Sequence, residues 1–250
     1  MHGRPVRVDD ADGVRVLTLD RPAARNAISL QMQDALCAQL ARADQDPSVR
    51  AVVLTGADPA FCAGVDVTET ERFTDRYANR FRLDPGQALR AMRTPVLCAV
   101  NGACVSGGLE LALSATFVIA SDRARFADTH ARLGVLPSWG LSALLPKAVG
   151  VRMARELSLT GRFMTADEAL RRGLVNHVVP HADLLARALE TAAGIASTGA
   201  SADLLGLYSR SDDLTLSAAL TAETDAVYGR PFDAATFHAG ARAADATGRT

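Results

Sequence analysis

Between Asn101 and Ala115 the chain reads Asn-Gly-Ala-Cys-Val-Ser-Gly-Gly-Leu-Glu-Leu-Ala-Leu-Ser-Ala, and Glu110 carries the only charge in it. Residues 95–100 are an apolar strand candidate that leads in, and the run after the two glycines is helix-like. Backbone N–H groups at a helix start are unpaired and lie at the positive end of the dipole, which suits a developing negative oxygen. Glycine has no Cβ, so Gly107 and Gly108 let a substrate come close to that backbone. Glu110 follows Gly107 by three residues, which puts its carboxylate on roughly the same side of a helix as the Gly107 amide. An oxyanion site and a proton carrier then share one small space. The plainer reading is that Glu110 only complements the dipole in the first turn. Leu109, Leu111, Ala112, Leu113 and Ala115, however, make the helix apolar nearly all round, which marks it as buried. An unpaired charge there is costly, so a functional carboxylate is the better reading.

The elements that position this stretch follow from periodicity. Residues 14–20 read as a strand, closed by Arg21-Pro22. Ser29 starts a helix in which Met32, Leu36, Leu40 and Ala43 recur at helical spacing, ending before Pro47. Residues 50–55 form a β-branched strand running into Gly56, and 57–67 read as irregular. Residues 69–93 are charged and arginine-rich, read as an exposed helix interrupted at Asp84-Pro85-Gly86. Two brief strands are expected near 117–120 and 125–127, then a loop over 133–140. Helices are expected over 141–149, 152–159 and 165–172, with a strand at 174–179. The remainder reads as helical: 181–197, 202–208, 214–228 and a tail after Pro231. In the third of these, Leu216, Leu220 and Val227 recur as one buried face. Strands and helices alternate early and helices fill the last third, which argues for an α/β core (1–197) with a helical C-terminal region (198–250).

Totals set the outer limits. A chain of 250 residues suffices for one large domain, or a domain with an appendage. With 27 basic against 28 acidic residues the net charge is −1, which suggests neither a nucleic-acid nor a membrane partner. Cysteines at 37, 62, 98 and 104 have no metal or redox spacing, and buried free thiols in a reducing compartment are the expected state. No signal-peptide core opens the chain and no apolar run is long enough to span a bilayer, so a cytoplasmic location is expected.

Phe61-Cys62-Ala63-Gly64-Val65-Asp66-Val67, together with the Gly107-Gly108-Leu109-Glu110-Leu111-Ala112 run some forty residues on, resembles the enoyl-CoA hydratase/isomerase (crotonase) family. The resemblance extends through Arg21-Pro22, Asn26-Ala27, Val52-Val53-Leu54-Thr55-Gly56, Gly134-Val135-Leu136-Pro137 and Gly173-Leu174-Val175. It implies a spiral of ββα turns with a C-terminal helical part used for trimerisation, the trimers often pairing into hexamers. It also implies an acyl-CoA thioester substrate and no separate cofactor or metal. The thioester carbonyl would be held by the backbone amides of Val65 and Gly107. The segment Ala63, Gly64, Val65, Asp66 and Val67 would approach the adenine, and the turn from Arg25 to Ala27 would line the CoA beside Gly108. Glu110 matches the first of the two catalytic glutamates of the hydratases.

The departure comes at the second glutamate, whose position is taken by His130. Hydration needs one group to activate water and one to protonate the α-carbon, and an imidazole can do either. Glu110 with His130 is therefore the candidate acid/base pair of an enoyl-CoA hydratase-type lyase. An isomerase also uses a carboxylate at that second position, and Asp128 supplies one only if the local backbone differs. Two other classes compete. Ser106 followed by His130 has the order of Clp-type serine hydrolases, and loss of one carboxylate fits a non-catalytic acyl-CoA-binding subunit. Trp139 reads first as a packed aromatic and second as a wall of the acyl pocket. Cys62 and Cys104 read as small packing residues, and the Gly-x-Gly-x-x-Gly spacing of a dinucleotide site is absent.

Overall fold

Apolar runs without a polar face make the centre of this fold. The computed structural model describes residues 4–69, 83–195, 200–211 and 214–247. Strands β1 (Val6–Ala11), β2 (Val14–Leu19), β3 (Ala51–Gly56), β5 (Val96–Val100), β7 (Phe117–Ser121) and β10 (His177–Val179) form one sheet, in the order β1-β2-β3-β5-β7-β10. Only β1 and β2 pair antiparallel; the other neighbours are parallel. Every residue of β3 and β5 is buried, the signature of a sheet covered on both faces. The pleat divides them. Leu17, Leu19, Val52, Leu54, Cys98 and Val100 belong to one core, which also takes in Met32, Leu36 and Leu40 of helix α1 (Leu30–Gln45). Val14, Val16, Val53, Leu97 and Ile119 face helix α7 (Leu184–Ala193), through Leu184, Ala188 and Ala192.

A second sheet joins β4 (Ala60–Cys62), β6 (Ala103–Val105), β8 (Arg125–Ala127) and β9 (Met164–Thr165), in the order β4-β6-β8-β9. The chain winds so that β3 then β4, β5 then β6, and β7 then β8 each give one strand to each sheet. Helices α2 (Pro85–Ala91), α3 (Gly107–Ser114) and α4 (Leu141–Val149) follow these pairs in turn. This is the expected ββα winding. Helices α5 (Val151–Thr160) and α6 (Ala166–Arg172) complete the outer layer.

Local chemistry sets the boundaries. Ser29, Asp84 and Thr165 cap α1, α2 and α6 by accepting the amides of Met32, Gln87 and Glu168. Asp84-Pro85-Gly86 therefore starts a helix, with proline in the first turn where its missing N–H costs nothing. The rest of the expected arginine-rich helix, 70–82, lies outside the described residues.

Contacts divide the chain into Met1–Ile195 and Ala196–Thr250. The second unit holds α8 (Ala200–Ser211), α9 (Leu216–Tyr228) and α10 (Ala234–Thr247), with an Asp203–Arg230 ion pair at 3.0 Å. The expected buried face of α9 is not found: Leu216, Leu220 and Val227 are 77%, 56% and 65% exposed. Periodicity reports that a helix face is apolar, not what covers it. The strand expected over 174–179 is confined to His177–Val179, and a 3-10 turn at His181–Asp183 precedes α7. Among the described residues no helix is long and apolar enough to cross a membrane.

Candidate active site

Because β4 and β6 run parallel, with Cys62 opposite Cys104, the loops leaving them emerge side by side at one end of the sheet. The first loop is pinned to Ile28, which donates its amide to the Gly64 carbonyl at 2.8 Å and accepts the Asp66 amide at 3.0 Å. The Val65 amide, between these two, points the other way and has no acceptor among the described residues; neither has the Gly107 amide. The two are close neighbours: a Cβ on Gly107 would lie 3.4 Å from the Val65 nitrogen. Gly108 is fixed by its neighbour, since a Cβ there would meet the Cys62 carbonyl oxygen at 2.5 Å.

Between the loop and the helix, Ser106 adopts φ 47° and ψ −106°, a conformation costing on the order of 1–3 kcal/mol for a residue with a Cβ. Its surroundings hold it there. The Ser106 amide donates to the Ala127 carbonyl at 2.9 Å, and its Oγ accepts the Thr129 amide at 2.9 Å. Ser106 thus turns the chain so that Gly107 begins α3 with a free amide.

Glu110 is 1% exposed, as the apolar helix requires. Its Oε1 accepts the Trp139 amide at 2.6 Å and, more weakly, the Leu141 amide at 3.4 Å. Its Oε2 faces His130 Nε2 at 3.7 Å. Burial pushes the Glu110 carboxyl above its ordinary value, and the Trp139 amide and His130 offset this only in part. On the far side of the imidazole, Nδ1 lies 2.6 Å from Asp128 Oδ1, which also accepts the His130 amide at 3.1 Å. Burial works to raise the Asp128 carboxyl too, but hydrogen bonds from His130 and Ser158 outweigh it and hold the group below the usual carboxylate range.

The remaining expected positions are distributed around this centre. Trp139 is buried, and its ring edge would lie 3.2 Å from a Cβ on Gly107, so it both packs and borders the amide pair. Arg25 and Ala27 flank a turn whose anchor is Asn26, with Arg25 exposed and its carbonyl accepting the Ala63 amide at 3.0 Å. The Asp66 carboxylate points into the protein, held by Arg21 at 2.9 Å and the Thr68 hydroxyl at 2.7 Å, whereas Val67 is exposed. All four cysteines are buried and free, and burial pushes the Cys62 thiol up to about 12, leaving it inert at neutral pH. Ser106 and His130 do not pair: Ser106 Oγ sits 2.8 Å from Thr129 Oγ1, so the serine–histidine contact that a hydrolase needs is not made.

One supporting residue was not anticipated. Arg90 donates to the Trp139 carbonyl at 2.8 Å and to Ser114 Oγ at 2.9 Å, bracing the loop whose amide holds Glu110. It belongs to the stretch read as a solvated helix, and only its position next to Gly86, where the Trp139 carbonyl approaches, gives it this task.

The family described as Enoyl-CoA hydratase/isomerase matches residues 9–243. A probable enoyl-CoA hydratase of Mycobacterium tuberculosis is 41% identical over 199 residues, 79% of this chain and 77% of that protein. A crystal structure of an enoyl-CoA hydratase from Mycobacterium paratuberculosis superposes with a TM-score of 0.75 at 45% identity, covering 89% of this chain and 95% of the other. One from Bacillus anthracis superposes with a TM-score of 0.85 at 34% identity, covering 90% of each. With the ββα winding, the paired loops and the buried glutamate already in place, this chain belongs to the enoyl-CoA hydratase/isomerase (crotonase) family.

Proposed function

We propose that the protein adds water across the double bond of a 2-enoyl-CoA thioester. The observation that carries this reading is the 3.7 Å approach of Glu110 Oε2 to His130 Nε2, beside two unengaged backbone amides. The Val65 and Gly107 amides receive the thioester oxygen and stabilise the enolate as it forms; losing one such donor typically costs about 10²–10³ in rate. With Nδ1–H directed at Asp128, His130 offers its Nε2 lone pair to water, and burial favours the protonated form of Glu110. As the water oxygen bonds to the β-carbon, its proton passes to His130. The electrons of the double bond move to the thioester oxygen and return as Glu110 delivers its proton to the α-carbon. Transfer of the proton from His130 to Glu110, across the short gap between them, restores the starting pair. The CoA part of the substrate runs along Arg25, Ala27 and the Ala63–Val67 loop, with Asp66 serving that loop from inside.

Assembly into a homotrimer or hexamer belongs to the same reading. The exposed Leu216, Leu220 and Val227 of α9 support it, and mass by sedimentation tests it.

The direct test is loss of conjugated absorbance from crotonyl-CoA or a longer enoyl-CoA in the presence of the protein. Glu110→Ala is expected to abolish turnover and His130→Ala to lower it by about 10²–10⁴. If both variants turn over like wild type, the assignment of roles is wrong. Tight CoA-ester binding without turnover across acyl chains would instead identify a binding subunit.

A further inference from the structure

The Asp128–His130 contact is more than a local turn. Asp128 is 2% exposed and accepts from two donors of His130, the main-chain amide at 3.1 Å and ring Nδ1 at 2.6 Å. A carboxylate that remains ionised has only acceptor sites, so Nδ1 must carry the proton in that contact. Nε2 is thereby left as the free nitrogen, directed at Glu110 Oε2. The other tautomer would set a lone pair against the carboxylate and turn an N–H toward Glu110.

We propose that Asp128 is a positioning residue, which fixes both the tautomer and the ring orientation of His130 so that its Nε2 can exchange a proton beside Glu110. Three carboxylate and imidazole groups are then linked in line: Asp128 orients, His130 accepts, Glu110 donates. Ser158, from helix α5, hydrogen-bonds Asp128 from outside this line and helps keep it ionised. A glutamate at position 130 would need no such partner, because either of its oxygens can serve. An imidazole does need one, since its two nitrogens are not equivalent. The pairing also gives Asp128 a task different from the one considered from sequence: it sits behind the imidazole and supplies no carboxylate of its own to the gap facing Glu110.

The inference rests on the hydration reading, and the test separates the two. Nitrogen-15 NMR of the imidazoles, with His130 assigned by its loss in His130→Gln, reports the tautomer without any substrate. The wild type is expected to show a protonated Nδ1 and an unprotonated Nε2 when His130 is neutral. In Asp128→Asn the amide can turn to donate to Nδ1 and hold the wrong tautomer, a change that lowers kcat by about 10⁴ in a comparable Asp–His pair. Asp128→Asn is therefore expected to lower kcat by about 10²–10⁴ while KM stays within about threefold and the thermal midpoint stays near wild type. Asp128→Ala, which can offer Nδ1 no acceptor, is expected to lose the Nδ1–H preference too. An Nε2–H tautomer in the wild type overturns the proposal, as does an Asp128→Asn variant with wild-type kcat. So does a loss of activity in both variants that follows loss of the fold. If no enoyl-CoA is hydrated by the wild type, the functional reading fails on its own while the tautomer measurement still decides the role of Asp128.

Discussion

The amide of Trp139 donates to Glu110 Oε1 at 2.6 Å, and this one hydrogen bond joins a loop to a helix that lies 29 residues earlier in the chain. It uses one carboxylate oxygen for structure and leaves the other facing His130 at 3.7 Å. A carboxyl buried to this degree is kept where it is mainly disfavoured as an anion, and the Trp139 amide compensates only part of that cost.

Replacement of Glu110 by glutamine should therefore separate stability from activity. The folded-state pKa of Glu110 lies above its ordinary value of 4.5, so folding binds a proton that the unfolded chain gives up earlier. Wild-type stability falls as pH rises from the unfolded value through the folded one, and Glu110→Gln escapes that loss. The glutamine oxygen can still accept the Trp139 amide. The variant is expected to lose activity by at least about 10² yet melt some 2–4 °C higher at neutral pH, the scale of ~1 kcal/mol in a protein of this size. Scanning calorimetry at pH 5 and pH 8 checks the sign: the advantage over wild type should grow with pH. A lower midpoint at pH 8 would count against an energetic cost at this site.

Arg90 supports the same loop from the other side, through the Trp139 carbonyl and Ser114. Both bonds come from Nη1, which the rigid planar guanidinium holds in place and which the ammonium of a shorter, flexible lysine does not reach in the same geometry. Arg90→Lys is expected to lower kcat/KM, by up to about 10², because small displacements of Glu110, the proposed proton donor, are costly while the fold hardly depends on a half-exposed cation. Unfolding in urea should be nearly unchanged. A variant with full activity would show that the Trp139 loop needs no brace.

How the sequence relates to this site is clearest at individual residues. Glu110 is legible because it is the only charge in an apolar helix, and the Gly107–Gly108 pair is legible because adjacent glycines before such a helix mark a close backbone approach. The partners are not legible. Arg90 reaches Trp139 across 49 residues, and nothing in an arginine-rich stretch says which arginine turns inward. Asp128 and His130 are two apart, a spacing that matters only once the chain after β8 curls so that Oδ1 meets both His130 donors. Among the elements, β3 and β5 show themselves as fully apolar runs, whereas β1 has a single buried residue, Val6, and so carries no alternation to read. The helices of the second unit are evident from period alone, but the exposure of Leu216, Leu220 and Val227 shows that period leaves their covering undetermined.

Gly108 is held to glycine by contact distance. A Cβ would lie 2.5 Å from the Cys62 carbonyl oxygen and 2.8 Å from its Cβ, both part of buried strand β4 and neither a flexible side-chain end. Gly108→Ala must push α3 away from β4, which also separates the loops bearing the Val65 and Gly107 amides. Overpacking of this kind costs about 1–3 kcal/mol and often more against backbone. The expected outcome is a midpoint lower by several degrees with activity reduced further than stability, measured by thermal denaturation and the enoyl-CoA assay. Wild-type activity in this variant would show that the two amides need not keep their present spacing.

Asn26 offers the sharpest test of how the Arg25–Ala27 turn is held. It is fully buried, its Oδ1 accepts the Arg21 amide at 2.9 Å, and its Nδ2 donates to the carbonyls of Ala57 and Ala60 at 2.7 and 2.6 Å. Asn26→Ala leaves three main-chain groups without this partner, two part-buried and one buried, the Ala60 carbonyl, which keeps only a longer bond from Asn101 at 3.4 Å. A group left buried and unpaired costs about 1–3 kcal/mol unless water replaces the partner. Asn26→Asp removes the donors and sets a carboxylate against two carbonyl oxygens. The aspartate is therefore expected to be worse than alanine at pH 7, where it is ionised or must take up a proton to fold. Because such an aspartate has a folded pKa above its unfolded value near 3.9, its deficit against wild type should shrink as pH falls through that window, while the alanine deficit stays level. Paired melting curves at pH 4.5 and pH 7 measure both. Equal deficits for the two variants at both pH values would mean that the Nδ2 donors contribute little, and that the Arg25–Ala27 turn is held by its backbone alone.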